Sequence, residues 1–285
     1  MELPYKNETI QHLAGIVPIA GQPLEFKFPW HDSMIPIAPD FLAVERSIYE
    51  CAMAGCETIW VVCHMKTEPI LKKRIGDFII DPISLESIDK GFIREIPIYY
   101  VPIHPRDKNR RDCLSWSIMY GARIAYFVSK KLSNWILPEK FYCSFPYGIT
   151  DLETIRNNRK NISNCKKIKI SYNNLTVKDN LHMSFTFDEN DYFDCKSILH
   201  QKDLDNWQRT KRGATYYDLK TGLSAIDNNT DREIQLPWFY DISTWDGYVN
   251  YLNSEHSKKI NGLSKNFSRH LKKRFSNDDS ERETI

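Results

Sequence analysis

The sequence lacks the long apolar runs that a membrane-spanning helix needs. Its longest apolar stretches, residues 59–63 and 96–103, have the length of strands and fall far short of the roughly 20 residues that cross a bilayer. Residues 1–13 also lack a basic segment followed by an apolar one, the pattern of a secretory signal. We therefore expect no membrane partner and a cytoplasmic location.

An excess of charge of one sign is also lacking. The 39 Lys and Arg residues nearly balance the 37 Asp and Glu residues, and the formal net charge is +2. So small an excess cannot coat a surface with positive potential, which argues against a dedicated nucleic-acid binder. With 41% hydrophobic and 27% charged residues, the 285-residue chain is instead typical of a globular protein with a sizeable core.

The seven cysteines lack the spacing of a metal site or a disulfide framework. They are odd in number, contain no CxxC pair, and several fall within apolar patterns, so we expect buried, reduced thiols. The motifs of serine hydrolases, kinases and zinc enzymes are missing as well. These absences leave the function to be read from local clusters of residues.

A βαβ unit is predicted near the N-terminus. Residues 15–20 form a short apolar run, typical of a buried strand. Residues 39–55 carry apolar side chains at helical spacing, with Asp40 placed as N-cap and Gly55 as C-terminal cap. Residues 58–63 (TIWVVC) are rich in β-branched side chains and apolar on both faces, which indicates a central strand of a sheet covered on both sides.

The alternation of strands and helices continues along the chain. Further strands are predicted over residues 96–103, 141–145, 168–170, 183–187 and 215–219, helices over residues 70–79, 113–132 and 191–199, and a surface loop over residues 227–232. This order predicts an α/β fold with a largely parallel sheet. We expect one domain over residues 1–253, with its core in residues 1–150.

Residues 254–285 are predicted to form a basic amphipathic helix with a polar tail. Ile260, Leu263, Phe267, Leu271 and Phe275 recur at spacings of three and four, and basic residues surround them. Two interpretations stay open. The helix packs its apolar stripe on the domain, or it docks on an acidic protein partner or a second subunit.

Two loops carry the residues that could bind a ligand. In open α/β sheets, ligands bind beyond the carboxyl ends of the strands. The first such loop runs from Ala20, Gly21 and Gln22 to His31 and Asp32, where a phosphate-binding turn would lie. The second follows residue 103 and is either an anion site or a solvated loop. Its charged residues include Arg106, Lys108, Arg110, Arg111 and Asp112.

The order of these segments resembles the sugar-phosphate nucleotidyltransferases. Residues 15–21 (GIVPIAG) are similar to that family's first strand and the start of its glycine-rich loop, and residues 33–37 (SMIPI) to the end of its Pro-Lys-x-x-x-Pro-Val element. Other similar segments are residues 44–62, 112–117, 141–151 and 238–244 with Tyr248. The resemblance implies a Rossmann-like α/β/α sandwich with a mostly parallel, mixed sheet of the nucleotide-diphospho-sugar transferase type, in which residues 151–253 elaborate the sugar side.

Two short segments resemble a second group. Residues 29–33 (PWHDS) and 144–148 (SFPYG) are similar to nucleotidyltransferase-like proteins of marine bacteriophages. That similarity would place the protein in the cytoplasm of a host cell and supplies no function.

The nucleotidyltransferase resemblance implies a reaction and its site residues. A nucleoside triphosphate lies over the first loop, and two carboxylates hold Mg²⁺ while a sugar phosphate attacks the α-phosphorus in line. Asp241 matches the family's second metal aspartate, and Asp151 is the carboxylate nearest to the first. Ala20, Gly21 and Gln22, with the basic loop after residue 103, would bind the nucleotide.

The sequence departs from the family at several of these positions. Pro23 has no N–H to offer a phosphate, and Glu25 would repel one. Asp32 occupies the place of the family's Lys. The first metal aspartate falls at about Tyr147, and Ser243 replaces a glycine.

Two functional hypotheses therefore stay open. In the first, the protein is an active nucleotidyltransferase in which Asp241 holds Mg²⁺ together with Asp151 or Asp32, and the basic loop replaces the missing cations. His31 and Asp32 then form an acid–base pair, unless His31 is only a hydrogen-bonded loop histidine. Asp241 could equally be a helix N-cap.

The second hypothesis is a catalytically inactive protein of the same fold. It would bind a nucleotide or a sugar, or act as a structural interaction protein, and could form homo-oligomers. The seven tryptophans could supply a sugar-stacking or protein-binding surface. They are Trp30, Trp60, Trp116, Trp135, Trp207, Trp238 and Trp245.

Overall fold

A six-stranded sheet forms the centre of the structure. The computed structural model describes residues 12–20, 26, 28, 30–86, 94–103, 114–132, 137–202 and 232–259. The strands of the sheet, in spatial order, are β10 (Phe185–Asp188), β7 (Pro138–Cys143), β1 (His12–Pro18), β4 (Thr58–Cys63), β6 (Glu95–Pro102) and β5 (Phe78–Ile80). The four central strands are parallel, and the two edge strands are antiparallel to their neighbours. The predicted mostly parallel, mixed sheet is confirmed.

In the described part of the chain, eight helices and three short strand pairs surround the sheet, and residues 255–259 and two 3-10 helices, Asp32–Met34 and Val177–Asp179, are also helical. The helices are α1 (Ala43–Ala54), α2 (Glu68–Ile75), α3 (Pro82–Glu86), α4 (Leu114–Leu132), α5 (Leu152–Asn157), α6 (Arg159–Asn164), α7 (Glu189–Lys202) and α8 (Trp245–Leu252). The pairs are antiparallel β2 (Pro36–Ala38) with β3 (Phe41–Leu42), antiparallel β8 (Gly148–Thr150) with β12 (Phe239–Asp241), and parallel β9 (Ile168–Ser171) with β11 (Arg232–Gln235).

Helices α1 and α4 cover opposite faces of the sheet. Along β1, Leu13 and Val17 belong to one core cluster and the alternating Ala14 and Ile16 to the other, as expected for a strand buried on both faces. At Gly15, a Cβ atom would lie 2.9 Å from the Cys51 side chain of α1. A glycine at this position therefore lets α1 approach the sheet closely.

The predicted helix over residues 39–55 is confirmed as α1, but its start is different. Asp40 is not the N-cap, because it lies in the turn between β2 and β3 with a positive φ of 59°. The helix begins after Leu42, whose backbone N–H donates to Glu45 Oε2 at 2.8 Å. At the other end, Gly55 adopts the predicted left-handed cap conformation, with φ of 97°.

The predicted helix over residues 70–79 is wrong in its second half. Helix α2 ends at Ile75, and Gly76 follows with φ of 88°. The chain then enters edge strand β5, in which Ile79 pairs with Ile96 of β6. The apolar residues of this segment fit the period of a helix as well as that of a strand, and only pairing with β6 decides for the strand.

The other predicted elements differ from the structure mainly at their ends. Strands β6, β7, β9 and β10 and helices α4 and α7 lie where strands and helices were predicted. Residues 215–219, 227–231 and 260–285 lie outside the described part, so their predicted structures and the role of the C-terminal helix stay predictions. The described cysteines are free thiols, and five of the six are buried.

Within the ranges given above, no helix is both long enough and apolar enough to cross a membrane.

Candidate functional site

The carboxyl ends of β7, β1 and β4 lie side by side and form the expected ligand-binding edge. The backbone N–H of Ser144, just after β7, donates to Ile16 of β1 at 3.0 Å, and that of Ile19 donates to Val62 of β4 at 2.8 Å. Ala20, predicted to begin the nucleotide-binding loop, is fully buried at this edge. Parallel strands thus bring residues 20, 63 and 143 to the same edge of the sheet.

A histidine–aspartate pair lies beside this edge. Strand β12 ends at Asp241, which is paired with Gly148 of β8. The Asp241 carboxylate accepts three N–H groups, two from His182 and one from Ser243. The distances are 2.9 Å from His182 Nδ1 to Oδ2, 3.2 Å from His182 N to Oδ2, and 2.9 Å from Ser243 N to Oδ1.

His182 is buried between two aromatic rings, and Asp241 is half-buried. His182 is 5% exposed, and its ring centre lies 5.6 Å from that of Phe145 and 5.4 Å from that of Tyr147, both edge to face. Burial by itself would raise the pKa of Asp241, but the charge and hydrogen bond of His182, with the bonds from Ser243, lower that pKa to about 2. Asp241 is therefore an ionised carboxylate committed to His182.

Gly148 allows this close approach. A Cβ atom at this position would lie 1.8 Å from the backbone oxygen of His182, a distance that no side chain can occupy. The glycine is needed because the backbones around residues 148 and 182 are almost in contact.

Tyr147 and Asp32 lie next to the pair. Tyr147 is buried, and burial first, then the nearby Asp32 charge, raises the pKa of its hydroxyl. The backbone oxygen of Tyr147 accepts the N–H of Ile242 at 2.8 Å. Asp32 is 1% exposed and begins a short 3-10 helix, Asp32–Met34. Tyr147 contacts the His182 ring and is influenced by the charge of Asp32, and we call Asp32, Tyr147, His182 and Asp241 the histidine–carboxylate cluster.

His31 has the contacts of a loop histidine. It caps the 3-10 helix, with Nδ1 accepting the backbone N–H of Ser33 at 3.2 Å and lying 2.8 Å from the Ser33 hydroxyl. Its buried Nε2 has no hydrogen-bond partner within the described residues. Burial first, and then the nearby His64, lower the pKa of His31 to about 4. Its hydrogen bonds are to Ser33, which supports the loop-histidine interpretation rather than an acid–base pair with Asp32.

Asp151 lies apart from Asp241. It is the N-cap of α5, and its Oδ2 accepts the Thr154 backbone N–H at 3.1 Å and the Thr154 hydroxyl at 2.5 Å. Because Gly148 pairs with Asp241 and Thr150 with Phe239, Asp151 lies three residues along the ladder from Asp241, about 10 Å away. The two carboxylates have different partners within the described residues, and their joint role as metal ligands stays a prediction.

Asp241 is also not a helix N-cap. The cap of α8 is Thr244, whose hydroxyl oxygen accepts the Gly247 N–H at 3.2 Å. Asp241 instead ends a strand and holds His182.

The Mg²⁺ that the resemblance implies does not fit the residues around Asp241. Both oxygens of Asp241 already accept N–H groups, and a buried tyrosine lies where the first metal aspartate would be. In the part of the chain that the structure describes, no three His, Cys, Asp or Glu side chains form a group that could hold a metal ion.

The remaining predicted nucleotide-binding residues lie outside the described part of the chain. They are Gly21, Gln22, Arg106, Lys108, Arg110, Arg111 and Asp112. Their role in binding stays a prediction.

Two exposed tryptophans lie within a few residues of Asp32 and Asp241 in the sequence. Trp30 is 51% exposed and stacks on Phe28, with ring centres 5.4 Å apart. Trp245, at the start of α8, is 56% exposed and contacts Phe26 at 6.0 Å. Trp60, by contrast, is a core residue at 2% exposure, so the tryptophans do not form one surface.

Sequence reasoning found Asp241 but not its partner. His182 belongs to no recognisable motif and lies 59 residues from Asp241. Tyr147 was recognised only as a residue in the place of an aspartate. No signal in the sequence indicates that a histidine would hold the Asp241 carboxylate.

Comparisons with known proteins agree with the fold. No family model matches the chain, and no curated protein matches its sequence. The structure is similar to a UDP-glucose pyrophosphorylase solved with UDP-glucose, with 12% identity, a TM-score of 0.53, and coverage of 87% of this chain and 99% of that one.

Two other solved structures are similar to the same extent. A putative glucose-1-phosphate thymidylyltransferase from Bacillus anthracis has 10% identity and a TM-score of 0.51, over 85% of this chain and 96% of that one. A nucleoside-diphosphate-sugar pyrophosphorylase from Vibrio cholerae RC9 has 10% identity and a TM-score of 0.50, over 84% of this chain and 100% of that one. The chain therefore has the Rossmann-like fold of the sugar-phosphate nucleotidyltransferases.

Proposed function

We propose that the protein binds a nucleotide or nucleotide sugar at the carboxyl ends of β7, β1 and β4, without metal-assisted nucleotidyl transfer. The fold supports this proposal, because ligands of such sheets bind at this edge. Two of the similar structures are named as pyrophosphorylases of nucleotide sugars, and one of them was solved with UDP-glucose. These similarities define the ligand class to test.

The observation that carries the proposal is the engagement of Asp241. An ionised carboxylate has about four lone-pair sites, and three of those of Asp241 already accept N–H groups, so about one is left for a cation. The cap bond that Asp151 accepts from Thr154 supports a structural role for this carboxylate rather than that of a second metal ligand. Asp241 instead orients the imidazole of His182, a group that can hydrogen-bond phosphate or sugar oxygens.

A thermal-shift titration tests binding and metal dependence together. UDP-glucose, UTP and dTTP are each added with Mg²⁺, with Mn²⁺ and with EDTA. A ligand at 100 times its dissociation constant adds about 2.7 kcal/mol to the native state, a shift of a few degrees. We expect the same shift with metal and with EDTA, and no pyrophosphate release from the triphosphates in the presence of glucose 1-phosphate.

Matched carboxylate variants locate the binding site. Asp241→Asn should weaken binding equally with and without metal, because it disturbs His182. Asp151→Asn removes the same charge about 10 Å away and keeps a good N-cap, so its affinity should equal that of the unsubstituted protein. If no nucleotide or nucleotide sugar shifts the melting temperature, the proposal is wrong.

A second candidate is an active nucleotidyltransferase that uses Asp32 with Asp241. The burial of Asp32 near Tyr147, in the same cluster as Asp241, favours this version over one that uses Asp151. It requires the Asp241 carboxylate to leave His182 when Mg²⁺ binds. Pyrophosphate release that needs Mg²⁺ and disappears in both Asp32→Asn and Asp241→Asn would support this candidate against the first.

A further inference from the structure

A fully buried ion pair lies directly beneath the histidine–carboxylate cluster. Arg46 and Glu50 are one turn apart on α1, their side chains are 0% exposed, and Arg46 Nη1 lies 2.6 Å from Glu50 Oε2. We propose that this ion pair is a positioning device that sets where Tyr147, His182 and Asp241 lie relative to one another. The proposal concerns the site of the proposed function, but its main test needs no ligand.

Arg46 holds the strand that carries one half of the cluster. Its Nη1 donates to the backbone oxygen of Gly148 at 2.6 Å, and its Nη2 to that of Thr150 at 3.3 Å. Gly148 follows Tyr147 and is paired with Asp241. The guanidinium therefore fixes the height of β8 above α1, and with it the positions of Tyr147 and Asp241.

Glu50 holds the segment that carries the other half. Its Oε1 accepts the Tyr142 hydroxyl at 2.7 Å and also the hydroxyl of Ser184. Ser184 lies two residues after His182, and Tyr142 lies on β7, immediately before the edge. The Glu50 carboxylate thus ties the His182 segment to the sheet, while its ion-pair partner Arg46 ties β8 to the same face of α1, one turn earlier.

The cost of burial distinguishes positioning from simple stabilisation. A buried ion pair pays a large desolvation cost, and apolar side chains of similar volume often replace it without loss of stability. Arg46 Nε is buried without a hydrogen-bond partner in the described part of the chain, which adds to that cost. What apolar side chains could not replace is the directed attachment of two backbone oxygens and two hydroxyl groups.

The test uses a double variant, Arg46→Met with Glu50→Leu, and a matched control. The control replaces the largely buried ion pair of Asp81 and Arg159, whose Oδ2 and Nη2 atoms lie 2.6 Å apart, by Asp81→Leu with Arg159→Met. That pair joins the start of α3 to α6, and Arg159 Nη1 also donates to the backbone oxygen of Ala52 at the end of α1. Its hydrogen bonds within the described residues are not to the cluster. The readout is the NMR signal of the His182 Nδ1 proton, assigned by its loss in His182→Gln.

We expect the signal to be lost or displaced in the Arg46→Met/Glu50→Leu variant and unchanged in the control. We also expect the affinity for UDP-glucose to fall about tenfold, the factor for one net hydrogen bond. An unchanged His182 signal in a folded Arg46→Met/Glu50→Leu variant would overturn the proposal.

A milder variant covers the case in which the double variant does not fold. Ser184→Ala removes only one hydroxyl from Glu50, and it should displace the His182 signal while leaving the fold intact; an unchanged signal there overturns the proposal as well. A displaced signal in a protein that binds no nucleotide would leave the positioning role in place and reject the proposed function instead.

Discussion

The two faces of the central sheet bury very different side chains. On the α1 face, the buried residues include Glu45, Arg46 and Glu50, together with Asp32 and Tyr147 of the histidine–carboxylate cluster. On the α4 face, the buried polar side chains of the helix are only serines, and Gly121 packs against Ile16 and Val62. Buried charge costs free energy unless it is paired. The comparison teaches that the α4 face maintains the fold, whereas the α1 face maintains a geometry at the edge where we propose that the ligand binds.

Among substitutions that compare the two faces, Arg46→Ala on the α1 face should have the largest effect on the free energy of unfolding. Removing one partner leaves Glu50 as an unpaired buried charge, which should lower the free energy of unfolding by about 3–5 kcal/mol. Ile118→Ala on α4, also at 0% exposure, should cost about 2–5 kcal/mol through the cavity it creates. Urea unfolding measures both losses.

The His182 signal separates the two variants. Arg46→Ala should displace it, and Ile118→Ala should not, although both lower stability. If both variants displace the signal equally, the distinction between the two faces is wrong.

Acid should destabilise the α1 face first through His31. Burial holds the pKa of His31 at about 4, below its value of 6.5 when unfolded. The unfolded chain therefore binds the proton first, and the stability that the neutral ring allows above pH 6.5 is lost as the pH falls towards 4. A shift of this size corresponds to about 3 kcal/mol.

The His31→Gln variant checks this prediction. Unfolding measured between pH 7 and pH 4 should depend less steeply on pH in the variant than in the unsubstituted protein. Equal slopes would show that His31 is protonated as easily in the folded state as in the unfolded chain.

Asp241 should also lose its stabilising contribution as the pH falls, but at lower pH than His31. Its pKa is lowered to about 2, so its stabilisation is present above pH 4 and is lost as the pH falls through 4 towards 2. The shift corresponds to about 2 kcal/mol. Asp241→Asn should therefore be less stable than the unsubstituted protein at pH 7, and the difference should narrow below pH 4, as measured by thermal unfolding.

The smallest effect is expected at Asp151. Asp151→Ala removes the N-cap of α5 and should cost about 1 kcal/mol, with no change in the His182 signal. Asp151→Asn, which can still cap the helix, is the control and should cost less. A displaced His182 signal in Asp151→Ala would show that this carboxylate is coupled to the cluster after all.

Local patterns in the sequence were enough to predict the main elements. The periods of α1 and α4 and the apolar composition of β4 and β6 each admit one interpretation, because these segments are long or uniformly buried. Residues 76–80 fit a helix and a strand equally well, and pairing with β6 decides for a strand. Asp40 has the chemistry of a cap, but a two-residue hairpin strand, β3, lies between it and the helix.

The candidate site was only half predictable for a related reason. Asp241 lies in a recognisable segment, and the loops at the carboxyl ends of the strands follow from the predicted topology. His182 is a single histidine between β9 and β10, with no spacing that relates it to Asp241. The contact between them depends on two strand pairs and on the absence of a side chain at Gly148.

The sequence by itself determined the α/β architecture, the parallel centre of the sheet and the edge at which a ligand would bind, because these follow from periodicity and from the connections between neighbouring elements. Only the tertiary structure decided that Asp151 caps a helix and that Asp241 holds His182. It also decided that Arg46 and Glu50 hold the two segments that carry Asp241's strand partner and His182. Hydrogen bonds between residues far apart in the chain depend on distances of a few tenths of an ångström, and no local pattern in a sequence encodes such distances.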